Sequence, residues 1–349
     1  MEKGTQPKLT VSDDEYIPRP GIINLLKRIF QPSKNHSYYH VVCGEHGTGK
    51  TSLFRIVANE VEQGVIYVDI PPNFNKLDDK FGKALNFSFE EDISITLKLK
   101  KRIFDKTETM QSYSKWEKAM DVFMRASEVY KAKHGKLPVI IYDNVSRLVH
   151  KNSEILDILQ DEAKDNADNK KYIAVFDSSE GSVSRRMEYN MQFLVMYKKP
   201  IIEIGDLSKE ESMKYLTKKC KINKVKAKKL YELVGGHIVT LKSVTDDFIA
   251  GQSFENIKTI VFNNIYDNFK KAKINSDQTN YEMAKIIIRA LLNSNNVLHV
   301  SMLRKLTKVE PNEFLENNVF AYHLRNKTVT FQSHSTECYI QKNANKFIK

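Results

Sequence analysis

Short apolar runs alternate with amphipathic stretches through residues 1–205. Five runs rich in β-branched and aromatic residues have the length and composition of buried strands: Tyr38–Val42, Val65–Ile70, Leu137–Asp143, Tyr172–Phe176 and Pro200–Ile204. Helical spacing is seen at Thr51–Glu62, Asn75–Asn86, Trp116–Lys133 and Ser153–Lys164, and is favoured over a strand at Ile93–Lys100. This alternation predicts an α/β three-layer fold in which helices cover both faces of a parallel sheet.

From Asp206 onward the pattern becomes helical. Predicted helices are Ser208–Lys219, Lys224–Val234, Ile238–Ile249, Phe254–Lys271, Tyr281–Leu292, Val300–Leu306 and Pro311–Asn317. Two short apolar segments, Val319–Tyr322 and Thr328–Phe331, then read as a hairpin, and helices followed by a hairpin are typical of a winged helix. We therefore expect a core with an entry segment (1–205, entry 1–36), a helical lid (206–275) and a winged-helix-like domain (276–349).

The first predicted strand leads into a glycine-rich motif that matches G-x-x-x-x-G-K-[ST]. Such a loop directs backbone N–H groups at the β- and γ-phosphates of a nucleotide, while Lys50 adds a positive charge and the Thr51 hydroxyl reaches Mg²⁺. At the variable positions Glu45 and His46, ordinary solvent-facing side chains are favoured over a catalytic role. The expected ATP contacts are Gly44, Glu45, His46, Gly47, Thr48, Gly49, Lys50, Thr51 and Ser52.

The predicted strand Leu137–Asp143 ends in a carboxylate, the form of a Walker B element. We expect Asp143 to hold Mg²⁺ together with Thr51. The next residue is Asn144, where many P-loop ATPases of this kind carry a glutamate that activates the attacking water. Because an amide cannot accept that proton, hydrolysis is expected to be slow or to use a carboxylate from elsewhere.

Polar residues also follow the fourth predicted strand. Carboxyl ends of parallel strands face the ligand crevice, so Ser178 or Ser179 is a candidate contact of the γ-phosphate or of the water. Arg185 and Arg186 either stabilise charge on the transferring phosphate, in cis or across a subunit boundary, or form an ordinary solvated pair. Arg19, between two prolines of the entry segment, lies either over a bound base or in a surface turn.

The formal net charge is +12 and the sequence pI is about 9.3. Nine lysines against two glutamates lie between Lys209 and Lys229, which indicates either a solvated helical face or, with Arg325 and Lys327 in the hairpin, a nucleic-acid contact. Three scattered cysteines are typical of a reducing compartment. No stretch approaches the roughly 20 apolar residues that span a bilayer, so an intracellular location, cytoplasmic or nuclear, is expected.

Three segments together, Gly44–Thr51, Ile140–Asp143 and Leu233–His237, resemble the AAA+/STAND branch of P-loop ATPases. Within that branch the chain is similar to archaeal-type ATPases and origin-recognition initiators, which have an ATPase core, a helical lid and a winged helix. It also resembles an expanded fungal set of such ATPases, similar to the NTPase modules joined to Crinkler-type proteins. The resemblance implies a sensor role at Ser178 or Ser179 and lid contacts to the nucleotide near Gly236 and His237.

Two positions depart from the pattern of that branch. STAND proteins commonly have Gly-x-Pro in the lid, where this chain has Gly236-His237-Ile238, and Asn144 replaces the glutamate after the Walker B aspartate. The sequence therefore predicts an ATP-dependent conformational switch with slow turnover, and the alternative is an ATP-binding scaffold that does not hydrolyse. Self-association and nucleic-acid binding stay open as partner interactions.

Overall fold

The computed structural model describes residues 2–5, 7–9, 16–73, 76–85, 115–149, 153–178, 201–308, 319–323 and 325–348. These residues divide into two compact units, which we describe separately. The first contains the described parts of 1–13, 19–43 and 50–202, and the second contains those of 16–18, 44–49 and 203–349. The predictions for Ile93–Lys100 and Pro311–Asn317 lie outside the described residues.

A five-stranded sheet carries the α/β fold, in the order β2-β3-β4-β1-β5. Its strands are β1 (His40–Cys43), β2 (Val65–Asp69), β3 (Val139–Asp143), β4 (Ile173–Ser178) and β5 (Ile202–Glu203). The pairs β2–β3, β3–β4 and β1–β4 are parallel, as predicted. Their register sets Asp69 opposite Asp143 and Cys43 opposite Ser178, so that strand ends lie side by side at one edge of the sheet.

Helices of the first unit are α1 (Pro20–Phe30), α2 (Lys50–Val61), α3 (Leu77–Ala84), α4 (Lys115–His134), α5 (Ser146–Val149) and α6 (Ser153–Asp168). The predicted first strand was placed too early, because pairing with β4 begins only at His40. Tyr39 instead packs edge-on against Phe176 and is one of the aromatic side chains buried beside the sheet. Residues of β2, β3 and β4 supply the centre of this core.

Helices of the second unit are α7 (Lys209–Lys214), α8 (Lys224–Val234), α9 (Ile238–Ile249), α10 (Phe254–Lys271), α11 (Tyr281–Asn293), α12 (Val300–Thr307), α13 (His334–Lys342) and α14 (Ala344–Ile348). A capping box between Ser208 and Glu211 starts α7. The predicted helix Ser208–Lys219 is observed as a helix, but its second half, Tyr215–Lys219, is a π-helical turn whose last bond joins Cys220 N to Tyr215 O at 3.0 Å.

Three antiparallel strands complete the second unit, in the order β6-β8-β7. They are β6 (Leu298–His299), β7 (Phe320–His323) and β8 (Thr328–Phe331). One hydrophobic core contains residues from Leu207 of the expected lid to Phe347 near the end of the chain. The lid and the winged-helix-like domain expected on either side of residue 275 stay predictions. Of the helices described, none is long and apolar enough to cross a membrane.

Candidate functional site

The glycine-rich loop between β1 and α2 has the backbone that its motif requires. Gly47 and Gly49 have φ values of 87° and 83°, in a backbone region that residues with a Cβ rarely adopt. Thr48 closes the turn by donating to the carbonyl of Glu45 from its amide (3.3 Å) and its hydroxyl (2.9 Å). Helix α2 begins directly afterwards at Lys50, so the loop ends at a helix N-terminus, which favours anions.

At the end of β3, the predicted hydroxyl and carboxylate lie together. The Thr51 hydroxyl donates to Asp143 Oδ1 at 3.2 Å, and Asp143 is fully buried. Tyr67 also donates its hydroxyl to this carboxylate and accepts a hydrogen bond from Arg55 Nε at 3.1 Å. Burial raises the pKa of Tyr67, and the neighbouring charge of Asp143 raises it further. Tyr67 therefore remains a proton donor that fixes the carboxylate.

Asp177, one residue before the end of β4, forms a hydrogen bond with Asp143. Burial raises the pKa of Asp177 well above its usual value, the hydrogen bond and charge of Asp143 act in the same direction, and the charge of Lys50 opposes them. Two carboxyl groups in contact cannot both ionise at low cost, so Asp177 keeps its proton and donates this hydrogen bond to Asp143. The Oδ1 atom of Asp177 is buried with no hydrogen bond from the described residues.

Asn144 turns away from the usual backbone conformation. Its φ is 61°, in the left-handed region that asparagine and aspartate tolerate better than other side chains with a Cβ. Its amide donates to Asp69 Oδ1 at 2.9 Å, and the same oxygen accepts from Arg147 at 3.0 Å. Arg55 donates to Asp69 Oδ2 at 3.2 Å, and thereby links Asp69 to the network around Tyr67.

In the second unit, the loop segment Gly44–Gly49 contacts two C-terminal elements. His237, at the N-terminus of α9, places Nε2 at 2.7 Å from the carbonyl oxygen of His46. Because a carbonyl can only accept, Nε2 carries the proton, which leaves Nδ1 free to accept from the Thr240 amide at 3.4 Å. Gln332, directly after β8, donates to Glu45 Oε2 at 2.5 Å.

The remaining predicted site residues are either buried in the structure or lie outside the described residues. Ser178 is fully buried at the end of β4, and its sensor role stays a prediction. Arg19 is 5% exposed, so the alternative of an exposed surface turn is wrong. Ser179, Arg185 and Arg186 lie outside the described residues.

Sequence reasoning missed five members of this network: Arg55, Tyr67, Asp69, Arg147 and Asp177. A signal was present, because Asp69 ends an apolar strand as Asp143 does, and Tyr67 precedes it by two residues on the same face. Arg55 follows Thr51 by four residues and so shares its helical face. What the sequence lacked was the β2–β3 register that brings the groups together.

The chain is similar to known proteins in sequence family and in fold. Residues 19–244 match the model of an ATPase domain predominantly from Archaea. A Walker-type ATPase of Pyrococcus abyssi has a similar structure, with a TM-score of 0.58 and 13% identity, covering 98% of this chain and 100% of the other. The ADP form of the ORC2 protein of Aeropyrum pernix gives a TM-score of 0.50 and 12% identity, with 97% of each chain covered.

No curated protein sequence matches the chain. The similarity to the two solved structures shows a shared fold. The family match covers well over half of the sequence and includes the glycine-rich loop, Asp143 and the first helices of the second unit. This chain belongs to the family of ATPase domains found predominantly in Archaea.

Proposed function

We propose that the chain binds Mg·ATP at the Gly44–Ser52 loop and acts as a nucleotide-dependent switch that hydrolyses ATP slowly. The observation that carries this proposal is the pairing of Thr51 with Asp143 at 3.2 Å, directly after a lysine that begins α2. The ORC2 protein of Aeropyrum pernix, which has a similar fold, was solved in an ADP form. Adenine nucleotides are accordingly the ligands to test first.

The donor set around Asp143 suits Mg²⁺. Magnesium is usually held by one or two carboxylates together with substrate phosphates and water, and not by a full protein cage. Among the described residues, no group of three or more His, Cys, Asp or Glu side chains could hold a metal ion by itself. The Thr51 hydroxyl and the Asp143 carboxylate form the kind of partial site that magnesium needs. Bound there, Mg²⁺ would neutralise charge on the β- and γ-phosphates.

The switch is supported by the contact of His237 with the loop. Its imidazole donates to the His46 carbonyl, and a Cβ added at Gly47 would lie 2.6 Å from the ring. A nucleotide that draws the loop amides toward its phosphates would change this contact, and α9 would respond because His237 caps its N-terminus. The proposed output of ATP binding is therefore a displacement of the α8–α9 turn.

Slow hydrolysis follows from Asn144, whose amide donates and cannot act as a base. The same observation favours the second candidate, an ATP-binding scaffold without useful catalysis. The two differ in one measurement, since single-turnover hydrolysis of bound ATP is slow in the first and absent in the second.

Thermal unfolding with and without Mg·ATP tests nucleotide binding. A ligand at about 100 times its Kd adds roughly 2.7 kcal/mol to the folded state, so the melting temperature should rise. Lys50→Ala should remove most of that rise. Lys80→Ala, which changes an exposed lysine on α3, is the matched control and should keep it. A rise that persists in Lys50→Ala combined with Thr51→Ala would place the nucleotide elsewhere.

A further inference from the structure

A carboxylate from β2 lies beside the residue that stands where a water-activating glutamate is expected. Asp69 ends β2 and is opposite Asp143 in the parallel register. Its Oδ1 atom accepts the hydrogen bond of Asn144 at 2.9 Å. The amide at 144 is therefore bonded directly to a carboxylate, which can accept a proton as the amide cannot.

Asp69 is both held in place and accessible. Arg147 and Asn144 donate to Oδ1 and Arg55 donates to Oδ2, at distances between 2.9 and 3.2 Å. A carboxylate has about four lone-pair sites, so it can accept a further hydrogen bond beyond these three. Its side chain is 32% exposed, in contrast to the buried Asp143. Water can reach a carboxylate whose orientation is already fixed.

The backbone at Asn144 explains why the carboxylate is on the neighbouring strand. A left-handed backbone conformation is unfavourable for most residues with a Cβ, while asparagine and aspartate are better tolerated there. A glutamate at position 144 would meet this strain and would also bring a second negative charge toward Asp69. The observed pair instead divides the work, with the acceptor at 69 and a donor that orients it at 144.

We propose that Asp69 is the catalytic carboxylate of ATP hydrolysis, accepting the hydrogen bond of the attacking water, with Asn144 as its positioning residue. This inference rests on the proposed ATPase function. In the step, the water oxygen forms a bond to the γ-phosphorus while the bond from that phosphorus to the β–γ bridging oxygen breaks, and the bridging oxygen keeps the electron pair as part of ADP. The proton released by the water passes to the Asp69 carboxylate and then to solvent.

Two guanidinium groups hold the same carboxylate in a fixed position, so Asp69 orients the water as well as accepting its proton. Phosphoryl transfer proceeds through a loose transition state in which positioning supplies most of the catalysis. An Asp69 shared among Arg55, Arg147 and Asn144 suits that requirement. The same sharing agrees with the slow turnover proposed above.

Single-turnover hydrolysis of radiolabelled ATP by Asp69→Asn tests the assignment. We expect the rate to fall by roughly 100-fold or more, the usual loss when general-base assistance is removed. The Kd for a fluorescent ATP analogue should change by less than about threefold, because no phosphate or magnesium contact is removed. Intact ATP should then remain bound after gel filtration. Asp121→Asn, at an exposed position on α4, is the control and should hydrolyse at the wild-type rate.

The exchange variant Asp69→Asn with Asn144→Asp separates catalysis from simple loss of an ion pair. It keeps one amide and one carboxylate at the same hydrogen bond, and aspartate tolerates the backbone at 144. We expect it to recover at least about tenfold of the rate lost in Asp69→Asn. An Asp69→Asn rate within about threefold of wild type, or an exchange variant as slow as the single change, overturns the inference. Failure of wild-type protein to bind ATP would instead refute the proposed function.

Discussion

Gly236 has no room for a side chain, so adding a single methyl group there should destabilise the second unit. A Cβ at this residue would lie 1.9 Å from the carbonyl oxygen of Leu207, and 2.8 and 2.9 Å from its carbonyl carbon and amide nitrogen. All three atoms are backbone, so no rotamer change can relieve the overlap. Gly236 also accepts a hydrogen bond from the Leu207 amide at 3.0 Å, which holds the two segments at this separation.

The expected cost of Gly236→Ala follows from two terms. Overpacking a filled interior costs about 1 to 3 kcal/mol. Separating the segments also breaks the bond from the Leu207 amide, which contributes about 1 kcal/mol. The free energy of unfolding of the second unit should therefore fall by roughly 2 to 4 kcal/mol. For a unit of this size the melting temperature should fall by on the order of 10 °C.

Gly205 supplies the control, because it lies two residues before Leu207 and an added Cβ would meet no atom within 4 Å. Gly205→Ala should leave stability unchanged or raise it slightly, since its effect is confined to the unfolded chain. Circular dichroism during denaturant unfolding measures both variants against wild type. If Gly236→Ala unfolds within about 0.5 kcal/mol of Gly205→Ala, the close approach of Leu207 and Gly236 is wrong.

Two other variants test single hydrogen bonds. Tyr67→Phe should lower the free energy of unfolding by roughly 2 kcal/mol and weaken magnesium-dependent ATP affinity about 10-fold or more, because Asp143 loses a hydrogen-bond donor that fixes its carboxylate. Calorimetry measures the unfolding and the ATP affinity, with Tyr130→Phe as the control variant. Equal ATP affinities of Tyr67→Phe and wild type would count against this prediction. The hydrogen bond to Glu203 raises the pKa of His323 in the folded protein. Protonated His323 therefore stabilises the folded state fully below its unfolded pKa of about 6.5, and this stabilisation disappears as the pH rises through the folded pKa. The stability lost in His323→Gln should thus be larger at about pH 5.5 than at about pH 9, and a pH-independent loss would contradict this.

Three helices of the second unit were predicted to the residue: α8, α9 and α10. Each has a side chain that caps its start, Asn223, His237 or Ser253, and Gly235 ends α8 with a φ of 66°. Local chemistry fixes such ends, so they are visible in a single sequence. Helix α13 was missed because its buried face includes the polar side chains Ser335 and Thr336, which hide the apolar period.

The candidate site divides in the same way. A contiguous motif in the sequence revealed Lys50 and Thr51, and the apolar run before Asp143 revealed this aspartate as the carboxylate of the site. Asp69 could be found only when β2 was known to pair with β3 in register, since its partners are 75 and 78 residues away in the chain. Long-range pairing depends on the packing of the whole sheet, which a local pattern does not encode.

The buried carboxyl group of Asp177 lies beside the charges of Asp143 and Lys50, and its neutral form favours nucleotide binding at the strand ends. A triphosphate needs net positive surroundings, and an ionised Asp177 next to Asp143 would cancel the charge of Lys50. Asp177→Asn preserves a neutral side chain that can still donate to Asp143. We therefore expect its free energy of unfolding to stay within about 1 kcal/mol of wild type in denaturant titrations at neutral pH. A stabilisation well beyond that amount would mean that Asp177 is ionised in the native protein, because the variant would then remove a buried like-charge pair.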